Sequence, residues 1–76
     1  MQSVKIKLDT VEKVKGFVSV VAPIEGDIDI VSERYVIDAK SIMGIFSLDL
    51  SKVLEVKIYE TETAERVIPL IKPYVV

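Results

Sequence analysis

Few residues in this chain are of a type and spacing to do chemistry. The most suggestive is a hydroxyl set ahead of a very apolar run, Lys40-Ser41-Ile42-Met43-Gly44-Ile45-Phe46-Ser47-Leu48. Serine is a preferred helix N-cap, because its oxygen accepts from a free backbone N–H of the first turn. One buried helix stripe needs apolar residues at i, i+3, i+4 and i+7. Ile42, Met43, Ile45, Phe46 and Leu48 occupy more of the circumference than that, so some of them should face solvent or a partner. A second candidate is Asp9-Thr10-Val11-Glu12-Lys13, where Asp9 or Thr10 can cap the helix that follows. Little else is available. With no histidine and no cysteine, neither a zinc site nor a nucleophile–histidine pair can be built. The carboxylates are scattered over strand faces and turns and form no inferable acid–base pair, so no catalytic residue, metal site or cofactor is expected, and the chain is not expected to be an enzyme.

The run Ser41-Ile42-Met43-Gly44-Ile45-Phe46-Ser47-Leu48 resembles the regulatory-serine region of HPr, the phosphocarrier protein of the bacterial sugar phosphotransferase system. In that family a histidine within Gly-x-His-Ala-Arg-Pro carries the phosphoryl group. At the matching place this chain has only Asp9-Thr10-Val11-Glu12-Lys13, in a loop a few residues shorter, so Thr10 and Glu12 mark a degenerate phosphocarrier site. Glu12 puts negative charge where the family has arginine. The resemblance therefore implies a histidine-less member, similar to catabolite-repression HPr. It implies that Ser41 is the regulatory phosphorylation site, acted on by an HPr kinase/phosphorylase, and that Lys40, Ile42, Met43 and Phe46 touch protein partners, a transcriptional regulator among them. The alternative is a non-catalytic structural or oligomerisation module, a homo-oligomer among its forms, that kept only the fold and a hydrophobic contact patch.

Composition bounds the rest. Seventy-six residues make one domain, 1–76, with a single core, since a chain of this size buries only roughly 60% of its unfolded surface. Half the residues are apolar, which argues against disorder. The net charge of −2 and the absence of a concentrated basic surface argue against nucleic-acid binding. No apolar run approaches the length of a membrane span, and Met1-Gln2-Ser3-Val4-Lys5-Ile6-Lys7 carries no export segment, so a cytoplasmic location is expected.

Hydrophobic periodicity supplies the elements that must position these residues. Val4, Ile6 and Leu8 alternate with charged residues, as in a half-buried strand. From Val11 the period becomes helical, through Val14, Phe17 or Val18, and Val21, and Pro23 ends the helix. Ile28 and Ile30 mark a second strand. Ser32-Glu33-Arg34 reads as a polar connection to a returning strand, Tyr35-Val36-Ile37-Asp38. A short helix over Ile42–Leu48 and a strand through Leu54, Val56 and Ile58 follow. The last helix contains Val67, Ile68, Leu70 and Ile71, is capped by Thr61 or Thr63, and is either kinked at Pro69 or split there into two pieces. The apolar tail Tyr74-Val75-Val76 must pack on the body or on another chain.

The order β-α-β-β-α-β-α, with strands polar on alternate positions, predicts an α+β fold: a two-layer open-faced sandwich with helices on one face of an antiparallel sheet. The resemblance adds the strand order 1-4-2-3. In that order Lys5 and Lys7 can meet Glu55, and Asp27 or Asp29 can meet Lys57, across the wet face. The expected core is Val4, Ile6, Leu8, Val14, Val18, Val21, Ile28, Ile30, Ile37, Leu48, Leu54, Val56 and Ile58.

Overall fold

The computed structural model describes residues 1–33 and 35–76. Its strands are β1 (Gln2–Ile6), β2 (Ile28–Ser32), β3 (Tyr35–Asp38) and β4 (Leu54–Ile58); its helices are α1 (Val11–Val21), α2 (Ile42–Phe46) and α3 (Thr61–Ile71). The strands form one antiparallel sheet in the order β1-β4-β2-β3, and the helices pack against one face of it. This is the expected open-faced sandwich. Ser32 lies within β2 rather than in the connection after it, and Arg34, the last residue of that expected connection, lies outside the described residues.

α1 forms where the period changes to 3.6. Thr10, in extended conformation, caps it by accepting from the Lys13 N–H at 3.1 Å, and Val14, Phe17 and Val21 form its buried stripe. The ambiguity between Phe17 and Val18 resolves to Phe17, which is fully buried, while Val18 lies only partly covered at the flank of that stripe. Val4 and Ile37 are also only partly buried, because β1 and β3 are the sheet's edges and the helix layer covers their inner sides incompletely. The core gains Ala39, Ile45, Ala64, Val67 and Ile71 instead.

α3 departs from the expectation at both ends. Neither threonine caps it: the N-cap position is Glu60, and Thr63 is buried, its hydroxyl donating to the Glu25 carbonyl at 3.1 Å. That carbonyl precedes Gly26, whose φ of +112° is a conformation that favours glycine. The helix is neither split nor ended by Pro69. It runs through to Ile71 and passes into a 3-10 turn, Lys72–Tyr74. Pro69 and Glu65, four residues earlier, are both exposed, so the Glu65 carbonyl left without an amide partner can turn to water.

The tail packs on the body. The Lys7 N–H donates to the Tyr74 carbonyl at 3.0 Å, and the Val76 N–H donates to the Lys5 carbonyl at 3.1 Å. Ile6 and Val75 thereby form an antiparallel bridge along the outer edge of β1. The Tyr74 ring stands edge-on to Phe17, centroids 5.9 Å apart, with its hydroxyl against Gly16.

On the open face the register sets Lys5 opposite Glu55 and Asp29 opposite Lys57. The Asp29 carboxylate accepts from the Tyr59 hydroxyl at 2.7 Å, and this raises the Tyr59 phenol above its ordinary value of 10.0. Among the described residues, ion pairs join instead Asp9 to Lys13, at 2.9 Å, and Glu33 to Lys52. The first holds the Asp9 carboxyl below the usual carboxylate range. This face is not wholly polar: Val31 is half-buried on it, and its neighbour Val36 is 62% exposed.

Candidate functional site

Ser41 caps α2. Its backbone is extended (φ −95°, ψ 101°), its Oγ accepts from the Gly44 N–H at 3.1 Å, and its carbonyl accepts from the Ile45 N–H at 3.0 Å. Its own N–H is fixed by the Asp38 carbonyl at 3.0 Å, so the turn leaving β3 sets the serine in place. α2 ends at Phe46, two residues earlier than expected, and Ser47 caps its C-terminus. Ile45 and Leu48 enter the core. Met43 is left 77% exposed and Phe46 39% exposed, with Ile42 half-buried between core and surface. The excess of apolar circumference in the sequence thus becomes an outward apolar patch behind a half-buried serine.

Lys40 is placed differently from its neighbours. Its ammonium donates to the carbonyls of Ile24 and, at 3.1 Å, Gly26, tying the loop after α1 to the start of α2. Two of its three N–H bonds are so engaged, which leaves one for a further acceptor. Nothing local in the sequence signals that role, because the partners lie 16 and 14 residues away.

Thr10 and Glu12 sit at the opposite end of the chain's chemistry. The Thr10 hydroxyl is occupied as the α1 cap, and Glu12 lies exposed in the first turn. A shallow polar cleft between the α1–β2 loop and α3 is lined by Glu25, Gly26, Glu60, Glu62, Thr63 and Arg66; its one hydroxyl, on Thr63, is held by the Glu25 carbonyl. Among the described residues no group of three or more His, Cys, Asp and Glu is placed to hold a metal ion, and no helix is long and apolar enough to cross a membrane.

The fold has a counterpart among solved structures. A crystal structure of HPr-C-His from Thermoanaerobacter tengcongensis superposes with a TM-score of 0.74, at 26% sequence identity, over 95% of this chain and 92% of that one. The architecture is HPr-like. No protein-family model and no curated protein matches the sequence.

Sequence reasoning did not single out Tyr35 and Val36, which are 64% and 62% exposed on β3. The expected strand order already put this strand at the sheet's edge; how far its two side chains stand out there is a property of the assembled sheet.

Proposed function

We propose that this chain is an HPr-like regulatory adaptor of the phosphotransferase system, acting in the cytoplasm through protein partners, without the phosphocarrier histidine and switched at Ser41. The observation that carries this reading is the serine-capped α2 with exposed Met43 and Phe46 on an HPr-like fold. The proposed contact is centred on Met43 and Phe46 and flanked by Ile42 and Lys40. A kinase moves the γ-phosphoryl group of ATP onto the Ser41 oxygen and releases ADP. The phosphate adds about −1.5 to −2 charge and strong acceptors at the position where Oγ already accepts from Gly44, so the fold survives while the apolar patch gains a charged border. Thr10 and Glu12 take no part, and the chain does not relay phosphate from phosphoenolpyruvate and Enzyme I.

Incubation with an HPr kinase and ATP tests the reading. Mass spectrometry should find one phosphate on Ser41 and none on Ser41→Ala, a variant that also loses a cap worth about 0.5–2 kcal/mol. An unmodified wild type under an active kinase would reduce Ser41 to a cap. The second reading, a structural or oligomerisation module, would then stand; the exposed apolar strand β3 favours it.

A further inference from the structure

The two edges of the sheet differ. At the end of β1 the chain's own tail takes the Lys5 carbonyl and the Lys7 N–H, so that part of the edge is covered. Along β3 the strand order ends, and no described element lies beyond it. The Ala39 N–H donates to the Ile28 carbonyl at 2.9 Å, and this bond sets the phase of the β2–β3 ladder. Residues of an antiparallel pair alternate in the side to which they turn their N–H and C=O. Tyr35 and Ile37 therefore address β2, while Val36 and Asp38 address the open edge. The Asp38 carbonyl is taken by the Ser41 N–H, and its carboxylate by the Lys40 N–H at 2.8 Å. Val36 is left with both main-chain groups facing outward, on a strand whose Tyr35 and Val36 side chains are exposed and which carries no lysine or proline. Sheet edges are normally guarded by such residues, and an unguarded apolar edge invites another strand.

We propose that β3 is a self-association edge, at which two copies of this chain pair β3 to β3, antiparallel, about a two-fold axis at Val36. The occupant follows from the register. A one-residue slip would turn every side chain to the wrong face, so only registers that keep like faces together are open. The one that joins the outward Val36 groups to each other sets Val36 against its counterpart, each giving an N–H and accepting at C=O, with Tyr35 against the counterpart of Ile37. The next register sets Val36 against Asp38, whose carbonyl and carboxylate are already engaged. Val31, paired with Val36 across β2 and β3, extends the two-fold contact into an apolar strip of two valines from each copy. The tail over the end of β1 shortens the edge open to a head-to-tail β3–β1 pairing to Gln2–Val4, which favours closure as a dimer over growth into a filament. Four residues of strand bury far less than the roughly 1,000 Å² of a durable interface, so the dimer forms only at high protein concentration. This inference does not rest on phosphorylation of Ser41.

Sedimentation equilibrium of the full chain tests it. The average mass of the wild type should rise from 8.5 kDa toward twice that value with concentration. Val36→Lys and Val36→Glu, each opposing its own charge at the two-fold, should each weaken association by about tenfold or more, and an equimolar mixture of the two should regain it. That recovery requires residue 36 to face residue 36. A wild type that stays monomeric at about 1 mM, where even a pair held by roughly −4 kcal/mol is half associated, overturns the proposal. So does unimpaired association of Val36→Lys, or a mixture that does not recover.

Discussion

Gly16→Ala, made with and without the hydroxyl of Tyr74, should change sign between the two backgrounds. Gly16 lies in the middle of α1, where alanine is worth about 1 kcal/mol over glycine in helix propensity. A Cβ built there would fall well inside contact with the Tyr74 hydroxyl oxygen, while the ring carbon behind that oxygen would sit at 3.6 Å, an ordinary contact. The oxygen cannot retreat without tilting the ring, which stands edge-on to Phe17 and belongs to the residue whose carbonyl holds the Lys7 N–H. Overpacking of this kind costs about 1–3 kcal/mol, so in the wild type Gly16→Ala should be neutral to destabilising by about 2 kcal/mol. In Tyr74→Phe the obstacle is gone, and the same change should stabilise by about 0.5–1 kcal/mol. An unfolding entropy of about 2.1 cal/mol/K per residue makes 1 kcal/mol worth roughly 6 °C in a chain this short. Thermal unfolding of the four proteins in a double-mutant cycle should therefore give a coupling of about 1 kcal/mol or more. Equal shifts in Tm in both backgrounds would refute the reasoning: the Tyr74 hydroxyl would not be seated on α1.

Phe17→Ala should cost about 3–5 kcal/mol in urea unfolding, against about 1 kcal/mol for the half-buried Val18→Ala; equal losses would mean that α1 turns a different face to the sheet. The hydrogen bond from Tyr59 to Asp29 favours the protonated phenol, so its contribution to stability is complete below pH 10.0, the ordinary tyrosine value, and is lost as pH rises through the higher folded value. Tyr59→Phe should remove a late-ionising phenol from the ultraviolet titration and flatten the alkaline stability profile. Conversely, the depressed Asp9 carboxyl contributes above its unfolded value and is lost as pH falls through the folded one, so Asp9→Asn should slightly soften the acid limb, as followed by acid unfolding.

Periodicity alone carried the secondary structure. A period of 2 through Ile28, Ile30, Leu54, Val56 and Ile58, and a period near 3.6 from Val11 to Val21, each state which side of an element is apolar. That information is local, and so was legible, as was the absence of any histidine. Likewise, the overfilled circumference after Ser41 announced an exposed patch before Met43 and Phe46 were seen. What covers each apolar side is a different matter, since it depends on chain brought from elsewhere. Phe17, not Val18, joins Val14 and Val21 in the core, and Tyr74 arrives from the far end of the sequence to stand edge-on to it. Lys40 gives its ammonium to carbonyls of a loop that no spacing rule links to it. Pro69 remains inside α3 on the helix's exposed side, where a carbonyl without an amide partner can turn to water. Val4 and Ile37 read as core but lie at edges, and of those two edges only β1 receives the tail. A strand's sequence specifies its two faces; its two edges are specified only by the neighbours that the tertiary fold supplies or withholds.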